Sequence, residues 1–456
     1  MAVTPAREIA FEVLRRVEAE GAYVSDVLHA ELGSSIKATD AALATEITLG
    51  VLRWRRLLDF LLDRHMKKAV ERLDLPVALA LRMGAYQLRF LERIPARAAV
   101  NESVELVKNA RKSSAAALVN AVLRRFAEEK GSPAKKFLPA NVPLADRLGI
   151  LYSHPTWMVA RWLARFGEAR TTALLEANNR AALLSCALHN EGSRDDVFRG
   201  LEEAGLRIRP GRLLKNAFAV AGGSVARTPA FLAGAISIQD EASQTVALLL
   251  GVRPGDRVLD LCAAPGGKTH MLARAAGLKG LVIAADRHAH RLSAMQSQFD
   301  RLGLRGAHLV ELDATGELPF RGTFDRILVD APCSGTGTLA RHPEIRWRLR
   351  RDQLAEFHAL QVRMLCMALR YLAGRGRLVY STCSMEPEEN EDVVAEVLSQ
   401  SPEVQCVPAS EAAKMIARYL AAGVSASDIF DESGQFRTFP GASQTDGFFA
   451  AILQMA

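Results

Sequence analysis

At 456 residues the chain is too long for one ordinary hydrophobic core, so two or three domains are expected. Its 58 Lys and Arg against 51 Asp and Glu leave a net charge of +7, a modest excess that favours an anionic partner without naming one. Six cysteines without CxxC spacing argue against a disulfide framework or a zinc site. They suit free thiols in a reducing cytosol. With no signal-type h-region and no long charge-free apolar span, a soluble cytoplasmic monomer is expected, without metal and without membrane contact.

Thr4-Pro5 has the form of an N-cap followed by proline at N1, and Ile9, Val13, Leu14 and Val17 then recur at helical spacing. Similar patterns run through 41–62, 77–91 and 100–126, which predicts a helical bundle over residues 1–130. Pro, Gly and Lys concentrate without periodicity over 131–144, marking a linker. Beyond it, 158–175 reads as a helix, 183–189 as a strand, 195–204 as a helix and 217–221 as a strand. Residues 145–235 are therefore expected to form a small α+β subdomain. From 236 to 456 the texture is α/β: strand-like runs at 258–262, 281–286, 308–312, 327–330 and 378–382 alternate with helical patterns, giving a doubly wound, Rossmann-like parallel sheet.

In such sheets ligands bind beyond the carboxyl ends of the strands. The first strand runs into Cys262-Ala-Ala-Pro-Gly-Gly-Lys268 and then Thr269, a glycine loop opening a helix, whose backbone N–H groups can line that crevice. A Walker A loop requires glycine where Cys262 stands, so a P-loop is excluded, and no GxGxxG offers a dinucleotide cradle. Three successive strand ends carry carboxylates: Asp286, placed for ribose hydroxyls, Asp313, placed for an adenine amino group, and Asp330. Ribose and adenine without phosphate point to S-adenosylmethionine.

Two strands end at cysteines, in Asp330-Ala-Pro-Cys333 and Ser381-Thr-Cys383, so the two sulfurs are expected to share one cleft. Cytosine C5 is a poor nucleophile, and its methylation is made possible by covalent attack at C6, for which cysteine is the natural attacker. A free thiol with a pKa of about 8.5 is only slightly ionised at neutral pH, so the site must withdraw the proton. Asp330 lies on the segment of Cys333, where it can hold N3 as charge develops on the ring. After methyl transfer the C5 proton must leave, and a second thiolate suits that step. Cys186, Cys366 and Cys406 read as ordinary buried cysteines, and Cys262 as a small pocket-lining residue. Amino-group methyltransferases carry a proline pair and an aromatic where this chain has Ala331-Pro-Cys333. DNA cytosine methyltransferases use a Pro-Cys nucleophile, but Cys383 and the lack of an inserted target-recognition region argue against them.

On these residues the chain resembles the RNA cytosine-5 methyltransferases, specifically the bacterial ribosomal RNA branch called RsmB, Sun or Fmu. The shared motifs are Ser237-Ile-Gln-Asp-Glu-Ala-Ser-Gln244, Cys262 to Thr269, Asp330-Ala-Pro-Cys-Ser-Gly-Thr-Gly337, Arg341-His-Pro-Glu-Ile-Arg-Trp347, Ser381-Thr-Cys-Ser384 with Pro387-Glu-Glu-Asn390, and Asp446-Gly-Phe-Phe449. The resemblance implies that Cys383 is the nucleophile and that Cys333 assists product release, roles the chemistry alone leaves open. It also implies that Cys262, Ala263, Ala264, Pro265, Gly266, Gly267, Lys268, Asp286, Asp313 and Asp330 surround the cofactor. The first domain resembles the NusB family of RNA-binding helical proteins through Arg82-Met-Gly-Ala-Tyr-Gln-Leu88, Ala99-Val-Asn-Glu-Ser-Val-Glu105 and Leu118-Val-Asn-Ala-Val-Leu-Arg-Arg125. Small-subunit ribosomal RNA is the partner this fusion implies. Asn178-Asn-Arg-Ala-Ala182 departs from the family pattern, which places proline in its second half.

Residues 341–351 interleave a tryptophan with cations beside the Cys333 loop, a composition suited to RNA phosphates and to stacking on an exposed base. Two other readings remain: the same chemistry on transfer RNA, and a non-enzymatic assembly factor that keeps the scaffold.

Overall fold

The computed structural model describes residues 3–33, 36–442 and 445–456, and it divides into two compact units, Met1–Ala181 with Leu339–Leu349 and Ala182–Thr338 with Arg350–Ala456. Among the described residues no helix is long and apolar enough to cross a membrane.

The first unit is helical. Its first six helices are Pro5–Glu20, Val24–Glu31, Ala38–Asp63, Leu75–Phe90, Ala96–Asn109 and Ala116–Glu128. Thr4 is the N-cap residue, but its hydroxyl donates to Glu102 Oε2 at 2.7 Å instead of capping the helix, and Glu102 also pairs with Arg7 at 3.0 Å. The continuous pattern over 100–126 breaks into two helices, with Arg111 in the left-handed region at φ 58°. An apolar repeat carried on both sides of a short turn reads as one helix in sequence. Helix Leu75–Phe90 is the centre of the bundle, buried on every side from Val77 to Leu88. Gly50 and Gly84 let neighbours come this close: a Cβ on Gly84 would stand 2.4 Å from Leu123 Cδ1, and one on Gly50 1.9 Å from Tyr86 Cζ. Helix Thr156–Asn179 is kinked at Gly167, whose φ of 73° no ordinary helical residue adopts.

The second unit holds two sheets. In the smaller, β1 (Leu184–Leu188), β2 (Arg207–Pro210), β3 (Ala217–Ala221) and β4 (Ile236–Ile238) run antiparallel in the order β2-β3-β1-β4. Helix Arg194–Glu203 buries Val197 and Leu201 in the same cluster as Cys186, Phe218 and Ile236. Sequence gives β1, the helix and β3, but β2 is largely exposed and β4 is three residues long, so neither carries an apolar run.

The larger sheet comprises β5 (Arg257–Asp260), β6 (Leu281–Asp286), β7 (Ala307–Glu311), β8 (Phe324–Asp330), β9 (Leu372–Thr382), β10 (Val404–Cys406), β11 (Phe436–Arg437) and β12 (Phe449–Met455). Its order is β7-β6-β5-β8-β9-β12-β10, with β11 on β12. The first five strands named in this order are parallel, as expected for a doubly wound fold, whereas β12 runs antiparallel between β9 and β10. Chain direction across the sheet reverses at β5, so the crevice beyond β5 and β8 is the topological switch point.

Candidate active site

Asp260 ends β5 and is 1 % exposed. Its Oδ2 accepts from Thr269 Oγ1 at 2.7 Å, while Oδ1 has no hydrogen-bond partner. Burial pushes this carboxyl up to about 7, and nearby Asp330 adds to the shift. A buried acceptor left unpaired costs about 1–3 kcal/mol, so the site favours a donor, and a cation most of all.

The chain then crosses Cys262–Gly266 to helix Gly267–Ala276. Ala263 N donates to Ala285 O at 2.8 Å, which fastens the loop to β6. Gly266 sits at φ 100°, and a Cβ there would meet Met295 Cγ at 2.7 Å. Glycine is required by both conformation and space. Cys262 is half-buried, its thiol pushed up by burial and by the negative charges of Asp260, Asp330 and Asp286.

Asp286 ends β6 and is 4 % exposed. It accepts from Ala264 N at 3.3 Å and His288 N at 3.0 Å, and pairs with Arg291 at 3.0 Å. Arg291 is 45 % exposed and also donates to Ala264 O at 3.0 Å. Asp313 lies beyond β7, exposed, bonded to Thr315 Oγ1 at 2.7 Å and 3.8 Å from Arg287. A buried carboxylate with one unpaired oxygen, a tight glycine loop and a strand-end acid together fit a nucleoside cofactor that carries an ammonium group.

Asp330 ends β8 in register with Ser381 of β9. Its Oδ1 accepts from Ser381 Oγ at 2.7 Å and its Oδ2 faces Lys268 Nζ at 2.7 Å. Past these strand ends, Cys333 Sγ and Cys383 Sγ stand 3.4 Å apart, both half-buried. The sulfur–sulfur hydrogen bond first, then burial and the charge of Glu389, push the Cys333 thiol up. Gly337 N donates to Cys383 O at 2.9 Å, and Gly447 N to Gly337 O at 2.8 Å. The turn before β12 thereby braces both cysteine loops.

Residues 341–351 require a correction. Arg346 is fully buried and donates to Ser153 O at 3.0 Å, Asn178 O at 3.1 Å and Asn179 Oδ1 at 2.9 Å, with longer bonds to Arg53 O and Leu339 O. Trp347 Nε1 donates to Leu52 O at 2.7 Å, and Arg348 to Val17 O at 3.0 Å. These side chains satisfy main-chain carbonyls of the helical unit, and Arg346 has no exposed surface to offer a phosphate, whereas Trp347 and Arg348 keep part of theirs. Arg350 and Arg351 alone of the run's second half are exposed. Sequence reasoning also passed over Asp260, although it is the first carboxylate of the strand-end series, and the buried Glu389.

A Rossmann-like sheet with an antiparallel β12 beside β9 and a glycine loop at its switch point defines the class of S-adenosylmethionine-dependent methyltransferases. Comparison narrows it. Residues 247–454 match the family described as 16S rRNA methyltransferase RsmB/F, residues 4–128 the NusB family, and residues 154–225 the ferredoxin-like domain of RsmF/B-like methyltransferases. The probable ribosomal RNA small subunit methyltransferase B of Bacillus subtilis is 32 % identical, over 100 % of this chain and 99 % of its own. The ribosomal RNA small subunit methyltransferase B of Salmonella paratyphi B is 32 % identical over 98 % of each chain. The chain belongs to the RsmB/F methyltransferase family. Among solved structures, PH0851 superposes with a TM-score of 0.80 at 25 % identity over 100 % of this chain and 99 % of that one. A methyltransferase homolog protein from Pyrococcus horikoshii gives a TM-score of 0.57 at 29 % identity, over 69 % of this chain and 100 % of its own.

Proposed function

We propose that this protein transfers a methyl group from S-adenosylmethionine to C5 of a cytosine in small-subunit (16S) ribosomal RNA. The reading rests above all on the 3.4 Å pair of thiols, Cys333 and Cys383, beside Asp330 at the ligand edge of the sheet. The substrate assignment draws on the NusB match and on what the curated relatives are named for.

Cys262, Ala263, Ala264, Pro265, Gly266, Gly267 and Lys268 would hold the cofactor, with Asp286 toward the ribose, Asp313 toward the adenine and Asp260 toward the ammonium. When bound, it supplies an electrophilic methyl group on a sulfonium centre. Cys383 gives up its thiol proton as its sulfur attacks C6 of the cytosine, and N3 gains a proton by way of Asp330, so that the ring carries no net added charge. Once C5 carries the methyl group, Cys333 removes the C5 proton and the C6–S bond breaks. Cys333 acts in this step as a thiolate, its own proton having passed to solvent, and taking the C5 proton returns it to the thiol while Cys383 departs as a thiolate. The target base must stand out of its stack for both faces to be reached. Residues 1–130 are assigned to RNA binding, 131–144 to a linker, 145–235 to an accessory subdomain and 236–456 to catalysis.

The test is to incubate purified protein and labelled S-adenosylmethionine with small-subunit ribosomal RNA and, separately, transfer RNA, and to map 5-methylcytosine in each. Methyl on one ribosomal cytosine is the expected result. Methyl on transfer RNA alone overturns the substrate but not the chemistry. Transfer to neither, with cofactor binding confirmed, favours a ribonucleoprotein-particle substrate or an assembly factor.

A further inference from the structure

Glu389 lies just past the cysteine loops, 0 % exposed. Its Oε2 accepts from Ser334 N at 2.7 Å and Gln361 Nε2 at 3.2 Å, and its Oε1 from Ser384 Oγ at 2.6 Å and from Ser334 Oγ. Ser334 directly follows Cys333, and Ser384 directly follows Cys383. One carboxylate is therefore bonded to the neighbour of each reactive sulfur.

The same hub reaches the other flanks. Gln361 Nε2 also donates to Pro332 O at 2.9 Å, on the near side of Cys333. Asn390 accepts from Thr382 Oγ1 at 2.5 Å and donates to Ser384 O at 2.9 Å, bracketing Cys383. Tyr380 OH donates to Glu389 O at 2.6 Å, which fixes the carboxylate's own backbone to β9. All four donors to the carboxylate are neutral, so a buried charge is kept where an apolar side chain would pack at less expense. Burial pushes the Glu389 carboxyl up, against the pull of those hydrogen bonds. A fold that only needed to fill this space has no reason to bury an acid there.

We propose that Glu389 is a positioning residue that sets the distance between Cys333 and Cys383 by tying both of their loops to one carboxylate. This rests on the two-thiol reading of the site. Misplacement of a reacting group by about 1 Å costs about 10²-fold, so the hub acts on the chemical step and not on RNA affinity. Glu389→Gln keeps an acceptor toward Ser334 N and Gln361 and turns an amide N–H toward the two hydroxyls, which can accept. Glu389→Ala removes every bond.

Two readouts test this on the full-length protein. One is kcat and KM for RNA methylation. The other uses neither RNA nor cofactor: diamide, a thiol oxidant, is added and closure of a Cys333–Cys383 disulfide is followed by peptide mass. Glu389→Ala should lower kcat about 10²-fold with KM little changed and slow closure comparably, and Glu389→Gln should restore most of both. Wild-type closure and kcat in Glu389→Ala would overturn the proposal. Should Glu389→Ala fail to fold, Ser334→Ala with Ser384→Ala removes two hydroxyl donors while leaving the carboxylate. Wild-type closure and kcat in that variant would overturn it equally. If Cys383→Ala retains methyl transfer, the two-thiol reading is what falls, and the closure rate still reports on Glu389.

Discussion

Lys268 Nζ stands 2.7 Å from Asp330 Oδ2, joining the first residues of the helix after β5 to the end of β8 across the switch point. The pair is mostly buried, with Lys268 13 % and Asp330 27 % exposed, and the other Asp330 oxygen accepts from Ser381 Oγ. A lysine from the cofactor loop thus aims the carboxylate assigned to the cytosine.

Lys268→Met should lower kcat/KM for methylation about 10- to 100-fold, the loss of one charge-assisted hydrogen bond worth about 1.5–3 kcal/mol. Steady-state kinetics with ribosomal RNA checks it, and a variant as active as wild type would leave the pair with no part in the reaction.

The two cysteines should fail differently. Cys383→Ala should abolish turnover while cofactor binding, followed by calorimetry, survives. Cys333→Ala should accumulate a protein–RNA complex that resists denaturing electrophoresis, because the C6–S bond forms but cannot be released. Full methylation by both variants would remove the thiols from the mechanism.

Asp260 makes a prediction about pH. Its folded pKa, about 7, lies above the unfolded value of 3.8, so the native state holds the extra proton between them and stability falls as pH rises through that window. Asp260→Asn carries no such charge. Without cofactor it should match wild type near pH 4 and exceed it by on the order of 4 kcal/mol at pH 8. The same change should weaken S-adenosylmethionine binding. Thermal melts at the two pH values decide it, and an equal shift at both would refute the assignment.

His189 and His270 stack edge to face at 4.3 Å, and burial pushes them down to about 4 and about 3. Here the unfolded chain binds the extra protons, so stability is lost as pH falls from about 6.5 toward 4. His270→Leu should lower the acid-limb slope of unfolding free energy by about one proton, about 1.4 kcal/mol per pH unit. Urea titrations from pH 4.5 to 7 measure that slope.

Much of this site is legible in sequence because strand ends are. An apolar run of four or five residues followed by Asp or Cys locates a side chain at the sheet's carboxyl edge, whatever the rest of the fold does. That logic reaches Asp286, Asp330, Cys333 and Cys383. It does not reach Glu389, which lies in a short 3-10 turn and draws three of its four donors from 28 to 55 residues away. Nor does it distinguish the two uses of a basic run. The arginines of 341–351 look alike in sequence, yet Arg346 and Arg348 satisfy carbonyls while Arg350 and Arg351 face solvent. Hydrogen-bond demand from distant helices is invisible in local composition.

The segment Leu339–Leu349 leaves the catalytic sequence, furnishes buried Arg346 to the helical unit and then returns. A gene fragment cut after residue 181 therefore encodes a bundle that lacks a piece of its own interior, with the carbonyls of Ser153 and Asn178 stripped of their donor. What reads in sequence as a bundle, a small subdomain and a catalytic domain joined end to end is a covalent weave of two units, and exchanging the first unit for a homologue would require exchanging eleven residues, 339–349, with it.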